Sequence, residues 1–314
     1  MAAPTNTFTT GTAIGNREDL SDMIYRIDPV DTPAMSSFER EKATAINHEW
    51  QTQSLAAPNN ANAQLEGDTP TAQSRTPTVR LGNYTQISYK VASVSGTQKA
   101  VEHAGRDNEL AYQEMLQGLE LKRDMEAVIM SANQAKSNGA PRNTATVLSW
   151  MHTNTVKGTG GVDPAAADGT GTRTDGTQAT FTEPMLKTVL QAIWQAGGKP
   201  DQIMTGGTNK QQFGTFTGRG TATQDAKAKR IVASVDFYDS DFGKLKVVPN
   251  RFQRQRDTFV FQTDMWAIAF LNGRNMISIP LAKVGDSDQR QVLSEYTVEA
   301  RNEKSSGGIF DLTF

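Results

Sequence analysis

Three histidines, no cysteine and two short runs of aspartate are the side chains from which catalysis or metal binding would have to be built in this chain. His48, His103 and His152 stand far apart, and none belongs to an HExxH or similar paired spacing, so a zinc site has no support. His48 alternates with Ile46 and Trp50 and reads as a structural histidine on a strand. The missing cysteine removes disulfides, thiolate ligands and a thiol nucleophile together. Asp236, Asp239 and Asp241 in VDFYDSDFG, and Asp286 and Asp288 in VGDSDQ, offer the oxygens that calcium favours. Neither run has the loop pattern of an EF-hand, and turns between strands use Asp, Ser and Gly for geometric reasons of their own. Thr205-Gly206-Gly207-Thr208-Asn209-Lys210 sets glycines between a strand and a helix, an arrangement that suits phosphate. It lacks Walker spacing and reads as a plain strand-to-helix turn. No catalytic motif emerges, so neither enzyme activity nor a cofactor is expected.

The charge is nearly even, 32 basic against 34 acidic residues, which argues against a globally basic nucleic-acid binder. One stretch departs from this balance: from Lys199 to Arg256 there are eleven Lys and Arg against five Asp. Lys227, Lys229 and Arg230 lie close together, as do Arg251, Arg254 and Arg256. Such a patch attracts a phosphate backbone without reading its sequence. The competing reading is a solvated surface balanced by acidic groups on other subunits. No apolar run approaches the roughly 20 residues of a membrane helix, and the N-terminus has neither the basic nor the apolar region of a secretory signal.

The elements that would position these groups are of mixed type. Ile46, His48, Trp50 and Thr52 alternate on one face, as do Val79, Leu81, Ile87, Tyr89 and Val91, predicting the two strands of a hairpin. Between them Leu55 to Thr78 contains only two large aliphatics, Leu55 and Leu65, among Pro, Asn and Gly. Hairpin loops normally hold two to five residues, so a tip this long is functional or disordered, and an arm ordered by another subunit would explain it. Residues 1–16 have no periodicity. Arg17 to Ile27 is predicted as a short helix, with Leu20, Ile24 and Ile27 in line, and 34–45 is charged and ambiguous. Asp107 to Ala132 is predicted as one long helix of about 39 Å, capped by Asp107. Gly118 inside it suggests a close neighbour. Residues 153–180 hold six glycines, eight threonines and no aromatic, and are expected to be a surface insertion. A helix beginning at Thr182 or Phe181, with Pro184 in its first turn and Gly197–Gly198 at its end, a second near Asn209 to Phe216 and a loop at Arg219–Asp225 follow. Strands are predicted at 203–204, 231–237, 244–248, 258–261, 265–271, 276–281, 291–302 and 309–314.

Two phrases carry a family resemblance. DPVDTPAMSSFEREKATAINHEWQTQSLAAP (Asp28 to Pro58) resembles the opening of the SU-ten-type major capsid proteins of tailed phages, and SEYTVEARNEKSSGGIFDL (Ser294 to Leu312) resembles their end. The likeness brackets nearly the whole chain. It implies an α+β, Hong Kong 97-like capsid fold: N-terminal arm 1–45, extended loop 46–95, peripheral domain 96–152 with a long spine helix, insertion 153–180, axial domain 181–286 and peripheral return strands 287–314. It implies a subunit that assembles with itself into hexamers and pentamers of an icosahedral head around double-stranded DNA, with portal, scaffolding or decoration proteins as further partners and no membrane. Assembly would take place in the host cytoplasm. Contacts to neighbours are expected at Trp50, Leu55, Leu65, Glu66, Asp68, Arg75 and Arg80, and contact to DNA at the six basic residues above. Some relatives join subunits through Lys–Asn isopeptide bonds, but Leu55 to Thr78 has no lysine to donate. Another virion protein, a tail-tube or adhesin subunit, is the alternative; a nucleotide-binding enzyme using Gly206–Lys210 is more distant.

Overall fold

The computed structural model describes residues 28–70, 72–103, 105–216 and 236–314. The expected arm 1–16, the helix Arg17–Ile27, the 219–225 loop and nearly all of the 231–237 strand lie outside the described residues. The first part of the chain forms α1 (Pro33–Ser37), β1 (Glu39–Ala43), β2 (Asn47–Thr52), β3 (Val79–Tyr84), β4 (Gln86–Ser95), α2 (Gly96–Ala100) and α3 (Glu109–Ser131). There follow α4 (Val147–Trp150), β5 (Thr155–Val156), α5 (Glu183–Gln195), β6 (Gln202–Thr205) and α6 (Gly207–Phe213). The last part is all strand: β7 (Phe237–Ser240), β8 (Gly243–Pro249), β9 (Thr258–Phe261), β10 (Trp266–Leu271), β11 (Ile277–Pro280), β12 (Ser287–Ala300) and β13 (Gly307–Ile309).

Two sheets and two apolar cores organise these elements. The first sheet runs β1-β10-β12-β11, with β4 on the other edge of β12. The long helix α3 packs across it and buries Leu121, Met125 and Ile129 against Tyr296, Val292 and Val298; each such side chain is worth roughly 1.5–3 kcal/mol. The second sheet runs β5-β13-β9-β6-β8-β7. Against it α5 lays Leu186, Val189, Leu190 and Ile193, a one-face stripe that ends where Gly197 takes φ +88°.

Several expectations are revised. Asn108, not Asp107, caps α3, its Oδ1 accepting from the Ala111 N–H at 3.2 Å. The charged 34–45 stretch becomes α1 and the edge strand β1, whose Glu39 and Glu41 are held by Arg301. A Cβ on Gly118 would meet only Met276 Cε at 3.7 Å, an ordinary contact rather than a tight one. The sheets also divide the chain differently from the expected 181–286 and 287–314 units. β10 and β11 join the first sheet because both pair with β12, and β13 joins the second by pairing with β9 and β5.

The 153–180 segment is not a loose insertion. It has no core of its own, yet it folds back on the subunit by backbone and charge. Gly158, Gly161 and Gly176 crowd together around Asp311, and a Cβ on Gly158 would lie 1.9 Å from the Thr177 carbonyl oxygen. Only glycine permits that approach.

Candidate functional site

The β2–β3 hairpin keeps full register from Asn47 opposite Tyr84 to Thr52 opposite Val79. Its base is fixed to the subunit. Trp50 Nε1 donates to the Ala300 carbonyl at 3.0 Å, with its ring 5.4 Å from that of Trp150. His48 Nε2 lies 3.0 Å from Glu299. Buried Asn83 donates to the Ala145 and Val298 carbonyls and accepts from the Ala145 N–H. Arg80 pairs with Glu49 across the hairpin. Of the residues expected to reach a neighbour, Trp50 and Arg80 are therefore engaged within their own subunit.

Beyond this base the chain leaves the molecule. Among the described residues, the hydrogen bonds of Ser54–Arg75 are all local, such as the Ala61 N–H to Asn59 Oδ1 and the Asp68 N–H to the Leu65 carbonyl. Leu55 and Leu65 are 92% and 82% exposed. Glu66, Asp68 and Arg75 are exposed beside them.

The strand predicted over 79–91 breaks at Thr85, whose N–H turns back to the Ile46 carbonyl. The break separates the predicted apolar row. Leu81 packs against the first core, whereas Ile87, Tyr89 and Val91 point out to solvent at 43%, 58% and 40% exposure. The other face of β4 turns Lys90 to Asp124 and Glu120 of α3. Tyr89 and Val91 sit beside Leu293 and Gln291 of β12, which in turn sit beside Ile277 and Ile279 of β11. Among the described residues β4 pairs with β12 alone, so its ten-residue outer edge is open. An apolar face next to an open strand edge is the kind of surface that a further chain can pair with and cover.

Two of the six basic residues are engaged inside the subunit. Arg254 pairs with Asp175 and Asp257, and Arg256 with Asp175 at 3.1 Å and Asp311 at 2.6 Å. Arg251 is exposed, and Lys227, Lys229 and Arg230 lie outside the described residues. Asp257 is fully buried beside Arg254, and burial pushes its pKa up to about 7. The folded carboxyl thus holds its proton to about pH 7, where an ordinary aspartate loses it near 3.8. Folding stability therefore falls as pH rises across that window. Between pH 5 and pH 8 the wild type is expected to lose about 2–3 kcal/mol more than Asp257→Asn, read from urea midpoints at the two pH values.

Other chemistry-bearing groups are held in local structure. The turn after β6 is filled by Gln255, which a Cβ on Gly206 would strike, and Lys210 donates to the Val247 carbonyl at 3.0 Å. His152 Nδ1 lies 2.6 Å from the Pro164 carbonyl oxygen. Asp288, held near pKa 2 by hydrogen bonds from Lys99 and Lys283, ties the start of β12 to α2. Among the described residues no three His, Asp or Glu side chains are grouped to hold a metal ion.

Mixed helix and strand, a long helix across a sheet and a projecting hairpin define a class, the phage capsid proteins with the Hong Kong 97-like fold. Solved structures agree over nearly the whole length. A chain of Gordonia phage Cozz superposes with TM-score 0.62 at 9% identity, covering 99% of this chain and 97% of that one. A chain of the cyanophage A-1(L) capsid asymmetric unit gives 0.61 at 13% identity, covering 98% and 99%. One from phage G gp27 major capsid proteins and gp26 decoration proteins gives 0.54 at 10% identity, covering both chains fully (100% each). In sequence, the chain is 26% identical over 350 residues to the major capsid protein of Escherichia phage Phieco32, covering 99% of this chain and 98% of the relative. Residues 3–313 match the family model described as SU10 major capsid protein, and the chain belongs to that family. It is a tailed-phage major capsid protein that forms the head shell.

Proposed function

We propose that the subunit joins its neighbours in hexamers and pentamers by laying the 53–78 loop across an adjacent copy, where Leu55 and Leu65 cover an apolar surface such as the Ile87–Tyr89–Val91 face. One observation carries this reading: Ser54–Arg75 makes no hydrogen bond or ion pair to the rest of its own described subunit while that face lies open. Glu66, Asp68 and Arg75 supply polar contacts at the loop tip, and the N-terminal arm reaches further neighbours. The second sheet, with α5 and α6, supplies the axial contacts. Arg251, with Lys227, Lys229 and Arg230, faces the packaged double-stranded DNA, which it meets without reading sequence.

Each subunit touches several others, so modest contacts sum to a stable shell through multivalency. With no lysine in the loop, that stability comes from buried area, intersubunit strands or a decoration protein; portal and scaffolding proteins are the other partners. Assembly takes place in the host cytoplasm and involves neither catalysis nor a cofactor. Deleting residues 56–77 is expected to leave circular dichroism and the melting transition of the soluble subunit near wild type, while negative-stain microscopy finds no closed shells. Normal shells from that deletion would remove the role given to the loop.

A further inference from the structure

Glu126 gathers α1, α3 and the loop after β8 at one point, and cations without a carboxylate partner stand around it. Its carboxylate accepts from Ala34 N at 2.8 Å, Met35 N at 2.9 Å and Asn250 Nδ2 at 2.7 Å. Lys122 and Arg123 precede it by one helical turn, about 6 Å or less along α3. Arg251 follows Asn250 directly and is exposed. The Arg123 guanidinium lies over the Phe252 ring at 5.5 Å, which holds it beside Arg251. Arg40 and Lys42 follow α1 on β1, in register with Ile268 and Phe270 of β10, and so lie on the side of the first sheet that α3 covers. Both are exposed.

The carboxylates of these elements leave that charge standing. Glu114 pairs with Arg290, Glu120 and Asp124 with Lys90, and Glu109 with Arg106. Glu39 and Glu41 turn to the other side of β1, to Arg301. Among the described residues no carboxylate comes within ion-pair distance of Arg40, Lys42, Lys122, Arg123 or Arg251. Asp28 and Asp31, exposed on the way into α1, are the acids to set against these cations. The balance stays positive.

We propose that Arg40, Lys42, Lys122, Arg123 and Arg251 form one phosphate-binding surface that meets the packaged double-stranded DNA. This rests on the capsid reading above and widens the DNA contact from Arg251 to α3 and β1. A duplex suits the surface better than a protein segment does. Ala34, Met35, Phe38 and Met130 between the cations are buried and Val30 is the exposed apolar neighbour, so a peptide would find much charge and little anchor. A phosphate backbone needs only the charge, and gains affinity from every counterion the cations displace. The face is also distinct from the one open to a neighbour's loop. Ile87, Tyr89 and Val91 point to solvent on the side of β4 opposite Lys90, which reaches α3.

The test is the anisotropy of a labelled duplex of about 25 base pairs, titrated with the full-length soluble subunit across a salt series. Lys122→Gln with Arg251→Gln is expected to weaken binding at least about fivefold at low salt. The slope of log Kd against log salt should become shallower by about two, since each phosphate contact contributes about 0.9. Lys199→Gln with Lys304→Gln, exposed cations elsewhere, should leave the slope unchanged. Asp28→Asn with Asp31→Asn should tighten binding, a gain that misfolding cannot produce. Equal slopes in the two lysine-bearing doubles, no binding by the wild type, or easier displacement of the duplex by an equal charge of polyglutamate overturns the proposal; the last would mean that the face takes an acidic protein segment. Negative-stain microscopy of the same wild-type sample reads shell formation separately, so loss of this contact and loss of the capsid reading are told apart.

Discussion

Replacing Glu126 by alanine is expected to destabilise the subunit by on the order of 4 kcal/mol, since it leaves three buried donors without an acceptor. The carboxylate is fully buried on the outward face of α3. One oxygen accepts from Ala34 N at 2.8 Å and Asn250 Nδ2 at 2.7 Å, the other from Met35 N at 2.9 Å. Burial raises its pKa, and the same three donors pull it down. Three distant parts of the chain meet on this one side chain: α1, α3 and the loop after β8. Truncation should therefore release α1 as well as lower the urea midpoint. Glu126→Gln keeps one acceptor oxygen but turns an amide N–H toward a donor, so about half the loss is expected. Hydrogen exchange at Ala34 and Met35 separates this from a general loss of packing: both amides should exchange faster in Glu126→Ala while β12 stays protected. A loss below about 1 kcal/mol would reduce Glu126 to an ordinary buried carboxylate.

No sequence rule points to Glu126. Its position in the helix reads as one more charged residue, and its partners lie far away in the chain, at Ala34, Met35 and Asn250. What could be read from the sequence was local. The α3 and α5 stripes, the Thr182 entry with Pro184 in the first turn and the β9 and β10 runs carry their pattern within a few residues of themselves. Long-range pairing was not legible: β1 is four charged residues and an alanine, and becomes a strand only because β10 offers a parallel edge. The hairpin illustrates both halves. Its alternation and long tip were plain in the sequence, but the break at Thr85, which turns Ile87, Tyr89 and Val91 outward, depends on a backbone bond to Ile46. Period-two alternation shows that a strand has two unlike faces; it does not say which one the subunit buries. In a capsid protein that ambiguity matters, because a face left bare in one copy is available to be covered by the next.

Arg173→Ala is the substitution that should most damage the junction of the two cores, with an expected loss on the order of 2–4 kcal/mol from the lost hydrogen bonds to Asp163 and the Met151 carbonyl and the lost contact with the Phe310 ring, while Lys157 still pairs with Asp163. The glycine- and threonine-rich composition of 153–180 hid this residue, because low complexity gives no packing signal. Arg173 is almost fully buried. Its Nη1 pairs with Asp163 at 2.5 Å, its Nη2 donates to the Met151 carbonyl at 2.8 Å, and its guanidinium carbon sits 3.4 Å from the centre of the Phe310 ring. Phe310 belongs to the first core while its neighbours Ile309 and Leu312 belong to the second. The segment is therefore a clamp over the residue where the cores meet. Arg173→Lys keeps the charge without the flat, forked guanidinium and should recover only part of the loss. Arg173→Met with Asp163→Asn removes both charges and keeps most of the volume, so it should be markedly more stable than Arg173→Ala. Urea denaturation of the soluble subunit reads the series, and limited proteolysis within 153–180 should appear first in Arg173→Ala. If all three variants melt with the wild type, the segment is only a cover, and the two cores hold together without it.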